Sequence, residues 1–291
     1  MNTIAVSDVE AFARTVAGVH GADGVAWLDR LPVLLDECRE RWGLVRDGSF
    51  PLSYRYVEPV RMADGTPGVL KLGPVGDPEL DIELDAAEWF SGHGGARVLA
   101  IDRERGAVLL ERALPGTPLV AEPEAAVVLI AADVMRALWR PPPERHRFRS
   151  VRELRTVLDR RSWAAGLYAE LCDSMTDTVV LHGDLHHDNI LRAGPERWVA
   201  IDAKGLVGEP AYETGALLRN PLSLFELPSP GRTLRRRADL LAEALDVDVA
   251  RVRGWAYTQA LLAAAWCVDD GKDPTFHCGV AALLEPLTRV R

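Results

Sequence analysis

The sequence is short of cysteine, of positive charge and of long hydrophobic runs. Its four cysteines are scattered over 291 residues and form no Cys-x-x-Cys pair, which argues against a disulfide scaffold and is typical of thiols in a reducing compartment. No apolar run approaches the ~20 residues that a membrane-spanning helix needs. The first residues, MNTIAVSDVE, carry acids where a secretory signal carries basic residues and an apolar stretch. These absences predict a cytoplasmic protein.

Positive charge is in deficit, because 34 Lys and Arg stand against 43 Asp and Glu and give a net charge of −9. This balance repels nucleic acid and anionic membranes, and it favours cationic ligands weakly. An arginine-rich segment at 136–161 is interpreted as a solvated helix face, since the rest of the chain is acidic. We therefore expect neither a nucleic-acid nor a membrane partner, and we expect a monomer.

The spacing of apolar residues divides the chain into three parts. Residues 1–45 have the three- and four-residue steps of helices. Residues 46–113 have strand-like segments around one helix at 79–90, which predicts a β-rich lobe. Residues 114–291 are helical almost throughout, including a helix expected over 151–173, with three short strand-like interruptions. The predicted fold class is α+β, with a small antiparallel β-sheet lobe and a larger, mainly helical lobe.

The strongest chemical signal is the segment LHGDLHHDNIL at 181–191, followed by VAID at 199–202. Asp184 and Asn189 are five residues apart, and Asp202 lies thirteen residues beyond Asn189, after a short apolar strand. This spacing matches the kinase pattern His-x-Asp-x-x-x-x-Asn with an aspartate on the next hairpin. Phosphoryl transfer uses one carboxylate to orient the attacking hydroxyl, and an amide oxygen and a second carboxylate to hold Mg²⁺ on the nucleotide phosphates.

Two other interpretations of this segment compete with a kinase loop. A dense cluster of His and Asp suggests a metallohydrolase, but such a site needs further histidines on later strands, and only His277 follows. A polar turn is the second alternative, because Asn and Asp are common in turns. The apolar runs on both sides stand at the distances that a kinase loop requires, which disfavours coincidence.

Several segments together resemble the aminoglycoside phosphotransferases, in particular the group of streptomycin 6-kinases and hydroxyurea kinases. The resemblance extends over most of the chain. The segments that carry it are GVLKLG, LLERALPGTPL, LHGDLHHDNIL and IDAKGLVGEPAYETGALLRNP. It implies a two-lobed, protein-kinase-like fold and an ATP- and Mg²⁺-dependent kinase of a small hydroxylated molecule.

The resemblance also implies roles for residues of the β-rich lobe. Lys71 would contact the α- and β-phosphates of ATP, and its partner would be an acid on the following helix. Glu83 is favoured for that partner, with Glu88 as the competing choice. Glu111 and Ala113 fall where the segment joining the lobes presents backbone groups to adenine.

In the helical lobe, the resemblance makes Asp184 the catalytic base and makes Asn189 and Asp202 the ligands of Mg²⁺. His182 would brace the loop without taking part in the chemistry. A nucleotide-binding protein without turnover is a disfavoured alternative, because the lysine, the base and both metal ligands are all present.

The chain departs from the family pattern at three points. The segment 47–49 has one glycine and is not a Gly-x-Gly-x-x-Gly loop, so the sequence does not indicate which backbone N–H groups bind phosphate. Asp188 stands where many relatives carry glycine, and it is either a substrate contact or a solvated turn residue. Seven residues separate Asp202 from Pro210, too few for a protein-kinase activation loop, so a protein substrate is disfavoured.

Two acids near the end of a late helix are candidates for binding the acceptor. Asp269 and Asp270 follow a helix expected over 252–268, where carboxylates oppose the helix dipole at a cost of about 0.3–1 kcal/mol each. Such a pair suits the guanidinium groups of a streptomycin-like molecule, although an ordinary polar loop stays open as an alternative. Glu213 is a weaker candidate. The resemblance implies a small, cationic, hydroxylated substrate of the streptomycin type; hydroxyurea, an amino sugar or an amino alcohol are the alternatives.

Overall fold

The computed structural model describes residues 6–158 and 162–288. The chain folds into two compact units, each with its own core. Unit 1 comprises Met1–Gly92 and Ala96–Leu114, and unit 2 comprises His93–Gly95 and Pro115–Arg291.

A five-stranded antiparallel sheet forms the centre of unit 1. The strands are β1 (Val45–Arg46), β2 (Tyr56–Arg61), β3 (Pro67–Leu72), β4 (Val98–Asp102) and β5 (Ala107–Glu111). They stand in the order β1-β2-β3-β5-β4, so the hairpin partners β2 and β3 lie side by side and β5 inserts next to β3.

Two helical segments, α1 (Val6–Trp42) and α2 (Pro78–Phe90), complete unit 1. The first consists of two helices that meet at Gly21, where a φ of 57° lies in the left-handed region that glycine tolerates. The second begins after Asp77, whose carboxylate accepts a hydrogen bond from the backbone N–H of Glu79 at 2.9 Å. The helix predicted from sequence for this segment is confirmed.

The alternation of side chains along β3 decides which residues meet each helix. Leu70 and Leu72 are buried in a core that includes apolar residues of α1. Because successive side chains of a strand point to opposite faces, Lys71 lies on the other face, where α2 packs through Leu80 and Leu84. The sheet thus presents one lysine to a helix that carries acids.

Unit 2 is mainly helical. Its helices are α3 (Glu124–Leu138), α4 (Trp163–Asp173), α5 (Pro210–Leu218), α6 (Pro230–Leu245), α7 (Val249–Asp269) and α8 (Thr275–Thr288). Its strands are β6 (Arg149–Ser150), β7 (Val179–Leu181), β8 (Ile190–Arg192), β9 (Trp198–Ala200) and β10 (Leu206–Gly208). They form two small sheets, β6-β10-β7 and β8-β9. A search of the described residues finds no helix that combines the length and the hydropathy of a membrane span.

A short stretch of early sequence, His93–Gly95, belongs to unit 2. The backbone N–H of Ala200 in β9 donates to the carbonyl of Gly94 at 2.8 Å, and Gly95 forms an isolated bridge with Ala200. A Cβ at Gly94 would lie 3.1 Å from the Cβ of Ala137 in α3. Glycine is therefore the residue that lets this stretch approach α3 closely.

The single helix predicted over 151–173 is wrong. A 3₁₀ helix covers Val151–Val157, α4 begins only at Trp163, and residues 159–161 lie outside the described residues. Both starts are capped by serine: Ser150 forms a capping box with Glu153, and the hydroxyl of Ser162 accepts from a backbone N–H of α4. These caps satisfy backbone donors at two separate helix starts, which divides the segment.

Candidate active site

The predicted ion pair of unit 1 is formed. Lys71 is buried on the α2 face of β3, and its Nζ contacts Oε1 of Glu83, one and a half turns into α2. The competing acid, Glu88, contacts Arg103 instead, which also lies 2.9 Å from Asp85. Strand alternation and helix spacing together therefore select Glu83.

Sequence reasoning missed a third member of this pair, Arg55. Its Nε donates to Oε2 of Glu83 at 3.0 Å, so Glu83 carries a cation on each oxygen. Arg55 comes directly before β2, in a loop without periodicity. No local pattern predicts a contact with a residue 28 positions away.

The two residues expected to meet adenine lie at and just after the end of β5. The carboxylate of Glu111 accepts from the backbone N–H and from Nε of Arg97, both at 2.9 Å. The backbone N–H of Glu111 donates to the carbonyl of Arg97 at 2.8 Å. Ala113 follows at the end of unit 1, partly buried. The Glu111 side chain is thus fixed within unit 1, and an adenine contact there would be made by backbone groups.

In unit 2, His182 braces the loop that follows β7. The ring is fully buried, and burial lowers its pKa to about 4, so it is neutral at physiological pH. Its Nε2 lies 2.7 Å from the carbonyl of Ile201, and its Nδ1 accepts from the backbone N–H of Asp184 at 3.3 Å. Since the carbonyl can only accept, Nε2 carries the proton. The ring therefore ties the loop to the residue that precedes Asp202.

The expectation that Glu213 contacts the substrate is wrong. This side chain lies in the first turn of α5 and is 1% exposed. Its two oxygens accept from the backbone N–H groups of His182, at 2.6 Å, and Gly183, at 2.9 Å. Burial raises the pKa of Glu213 to about 7. Both oxygens hold the loop, and burial keeps this carboxylate away from a ligand in solvent.

Asp184, the expected base, presents a carboxylate that is 27% exposed. Its Oδ1 accepts from Nη2 of Arg219 at 2.6 Å, and its Oδ2 lies 3.9 Å from Nε2 of His186. Arg219, at the C-terminal end of α5, is a second residue that sequence reasoning missed. Its guanidinium fixes one carboxylate oxygen and thereby orients the other.

The expected metal ligands are Asn189 and Asp202, and backbone hydrogen bonds bring their segments together. The N–H of Ile201 donates to the carbonyl of Asn189 at 3.0 Å, and the N–H of Lys204 donates to the carbonyl of His182 at 2.7 Å. Asp202 itself is exposed and has a φ of 62°, a left-handed conformation that is costly for a non-glycine residue.

The donor atoms of this pair fit Mg²⁺, which prefers oxygen ligands. Nδ2 of Asn189 donates to the carbonyl of Asp184 at 2.9 Å, which turns the amide oxygen of Asn189 to the opposite side. Asp202 supplies a carboxylate. Over the described ranges 6–158 and 162–288, no group of three or more His, Cys, Asp and Glu side chains could hold a metal ion. A Mg²⁺ ion held by these two oxygens would need further oxygen ligands, such as water or phosphate.

The motif contains two more histidines, His186 and His187, besides His182. His187 is buried, and burial lowers its pKa to about 3. Nδ1 of His186 accepts from the backbone N–H of Asp188 at 3.2 Å, which caps a short 3₁₀ helix. His182 and His186 bind backbone groups, whereas neither ring nitrogen of His187 has a hydrogen-bond partner within the described part of the chain. The three rings therefore do not form the shared ligand set of a metallohydrolase.

The remaining candidate acids, Asp188, Asp269 and Asp270, are exposed. Asp188 lies beside His186, with its carboxylate 3.8 Å from Nδ1. Asp269 ends α7, and Asp270 forms an ion pair with Lys272 at 2.8 Å. Among the described residues, no hydrogen bond or ion pair joins Asp269 or Asp270 to Asp184.

Comparison with known proteins identifies relatives over most of the chain. Residues 41–271 match the model of the family described as aminoglycoside/hydroxyurea antibiotic resistance kinase. A streptomycin 6-kinase of Streptomyces glaucescens is 34% identical over 282 residues, which cover 90% of this chain and 91% of that protein. A streptomycin 3''-kinase of Klebsiella pneumoniae is 32% identical, with 86% and 98% covered.

A solved structure has the same fold. A choline/ethanolamine kinase family protein of Mesorhizobium loti aligns with a TM-score of 0.60 and 17% identity, over 88% of this chain and 95% of that one. The predicted protein-kinase-like α+β fold, with a small antiparallel sheet and a larger helical part, is confirmed.

Proposed function

The chain belongs to the aminoglycoside/hydroxyurea antibiotic resistance kinase family, and from that premise we propose that it phosphorylates a hydroxyl group of a streptomycin-type aminoglycoside, with ATP as donor and Mg²⁺ as metal. Membership makes it a phosphotransferase with a hydroxyl acceptor. We propose the identity of the acceptor, the identity of the nucleotide and the roles of individual residues.

The observation that carries the proposal is the partly exposed carboxylate of Asp184, held at one oxygen by Arg219. Its second oxygen would accept the proton of the attacking hydroxyl as the phosphoryl group transfers. Arg219 prevents rotation of the carboxylate, so the accepting oxygen keeps one direction. The loop carrying Asp184 does not need to reorganise, because His182 and Glu213 already bind its backbone.

We further propose that Asn189 and Asp202 bind Mg²⁺ and that Lys71 binds the α- and β-phosphates. The metal would neutralise charge on the transferring phosphate. The fixed amide of Asn189 supports its assignment, because the oxygen is preoriented. Glu83 pairs with the Lys71 ammonium, and an ammonium carries three protons, so it can bind a carboxylate and a phosphate together. Glu111 and Ala113 would meet adenine through their backbone.

A cationic acceptor is supported by the acids left exposed in unit 2. Asp188 follows Asp184 by four residues, and Asp269 and Asp270 stand at the end of α7. Carboxylates bind guanidinium groups by two parallel hydrogen bonds. The relatives at 34% and 32% identity are named for different positions of streptomycin, 6 and 3'', so identity at this level does not distinguish the hydroxyl.

We propose that the enzyme works as a monomer in the cytoplasm, where ATP and Mg²⁺ are abundant. The four cysteines are all free thiols, which is typical of a reducing compartment.

The test is ADP release by the purified protein with ATP and Mg²⁺, using Asp184→Asn as the blank. The acceptors are streptomycin, other aminoglycosides, hydroxyurea, an amino sugar and choline. We expect turnover with streptomycin, its loss on chelation and its return with added Mg²⁺. Turnover with hydroxyurea or choline alone would overturn the acceptor, and absence of ATP binding would overturn the kinase assignment.

The acceptor residues are tested by Asp269→Asn and Asp270→Asn, with Asp273→Asn as the matched control. Asp273 lies in the same loop and caps α8 through a bond to Thr275 at 2.9 Å, which asparagine can replace. The two variants should raise the KM for streptomycin about tenfold each, as expected for loss of a charge-assisted contact, and leave the KM for ATP unchanged. Equal effects of all three variants would indicate a general charge effect.

A further inference from the structure

Arg55 is buried to an unusual degree for an arginine. It is 9% exposed, whereas arginines are seldom buried unless they are paired. Its Nε donates to Oε2 of Glu83 at 3.0 Å, and its Nη2 lies 2.8 Å from Oδ2 of Asp77. One guanidinium therefore joins two carboxylates of α2.

These two carboxylates fix the start of α2 and its interior. Asp77 is the N-cap of the helix and binds the N–H of Glu79 through its other oxygen. Glu83 binds Lys71 through its other oxygen. Arg55 thus connects the cap of the helix to the acid that holds the lysine.

The backbone leaves room for this side chain. A Cβ at Gly73 would lie 2.9 Å from Cδ and 3.2 Å from Nε of Arg55. Gly73 follows Lys71 by two residues, directly after β3. The absence of a side chain at position 73 is what allows the guanidinium to reach Glu83.

We propose that Arg55 is a positioning residue for ATP binding, which acts through Glu83 and not by touching the nucleotide. This inference rests on the proposed function, in which Lys71 binds the phosphates. A partly buried carboxylate with one cationic partner is left without compensation when that partner turns to another ligand. With Arg55 on its second oxygen, Glu83 stays paired and in place when the Lys71 ammonium binds phosphate. A planar guanidinium holds two carboxylates at once, whereas the ammonium of a lysine is a single point charge.

The experiment is a double-mutant cycle of Arg55→Met and Glu83→Gln. ATP affinity is measured by calorimetry without acceptor, and KM for ATP and kcat are measured with acceptor. Arg55→Met alone should weaken ATP binding about tenfold, a coupling typical of residues in one ion-pair network. In the Glu83→Gln background the same substitution should change ATP binding less than about twofold, because its route of action is gone.

Two further variants separate positioning from folding. Arg55→Lys keeps the charge but cannot bridge Asp77 and Glu83, so it should recover only part of the affinity. Arg103→Met is the matched control, because Arg103 pairs with Asp85 and Glu88 of the same helix. It should leave ATP affinity unchanged. Thermal unfolding of each variant is recorded, and Arg55→Lys carries the test if Arg55→Met does not fold.

The outcomes distinguish this inference from the function on which it rests. Equal weakening by Arg55→Met in both backgrounds would identify a direct phosphate contact and overturn the positioning role. A fall in melting temperature with unchanged ATP affinity would also overturn it. If Lys71→Ala weakens ATP binding and Arg55→Met does not, the inference alone fails. If Lys71→Ala leaves ATP binding intact, the proposed role of Lys71 fails.

Discussion

Replacing Glu213 with glutamine tests whether a buried carboxylate holds the catalytic loop. The two oxygens of Glu213 accept from the backbone N–H groups of His182 and Gly183, and the side chain is 1% exposed. Glutamine keeps the size and one acceptor oxygen, but its amide nitrogen is a donor. One of the two backbone N–H groups then faces a donor in the protein interior.

The expected cost follows from that lost acceptor. A buried donor without a partner costs about 1–3 kcal/mol, so Glu213→Gln should lower the free energy of unfolding by about that amount. Because burial raises the pKa of Glu213 from 4.5 to about 7, the folded protein binds this proton more tightly than the unfolded chain does. The contribution of Glu213 to stability is therefore full below pH 4.5 and is lost as the pH rises through about 7.

Urea unfolding of both proteins over a pH series measures this effect. Glutamine does not titrate, so the difference in free energy of unfolding between the wild-type protein and the variant should be largest at low pH. This difference should decrease as the pH rises, by at most about 1.4 kcal/mol per pH unit. The kcat of Glu213→Gln should fall as well, because the loop carries the base. Equal stability at every pH, or an advantage that grows with pH, would refute the reasoning.

Three other substitutions test separate parts of the molecule. Asp202→Asn should abolish the Mg²⁺ dependence of ATP binding, and a nucleotide titration with and without Mg²⁺ that still differs would contradict its role. Arg219→Met should lower kcat about 10- to 100-fold, because Asp184 would lose the contact that orients its carboxylate. Steady-state assays should show an unchanged KM for ATP. An unaltered kcat would exclude Arg219 as an orienting group. Gly215→Ala should destabilise the fold by about 1–3 kcal/mol, because its Cβ would lie 2.5 Å from the Gln259 amide. The helical Gly166→Ala, with nothing within 4 Å of its Cβ, is the control and should be neutral or stabilising in urea unfolding.

Local periodicity accounts for the parts of the fold and site that could be predicted. Alternation along β3 puts Lys71 on the α2 face, and the spacing of acids on α2 brings Glu83 to it. The segment from Asp184 to Asn189 is likewise a local motif, whose hydrogen bonds close within five residues. In each case, residues near in sequence determine the geometry.

The residues that sequence reasoning missed depend on tertiary contacts. Arg219 reaches Asp184 across 35 residues, and Arg55 reaches Glu83 across 28. An acid in the first turn of a helix, such as Glu213, is stabilised there by the helix dipole, so its burial against loop amides 30 residues away leaves no local trace. The break before Trp163 is different, because Ser162 is a typical N-cap residue directly before that helix and can be read from sequence.

Because His93–Gly95 belongs to unit 2, the points at which this protein can be recombined with its relatives are limited. A cut at Leu114 does not yield an independent second half, because residues 115–291 would lack the Gly94 carbonyl that accepts from Ala200. That N–H lies two residues before Asp202, so the loss falls next to a proposed metal ligand. A chimera that exchanges unit 2 must therefore also exchange His93–Gly95. The same constraint applies when evolution exchanges one unit between related proteins.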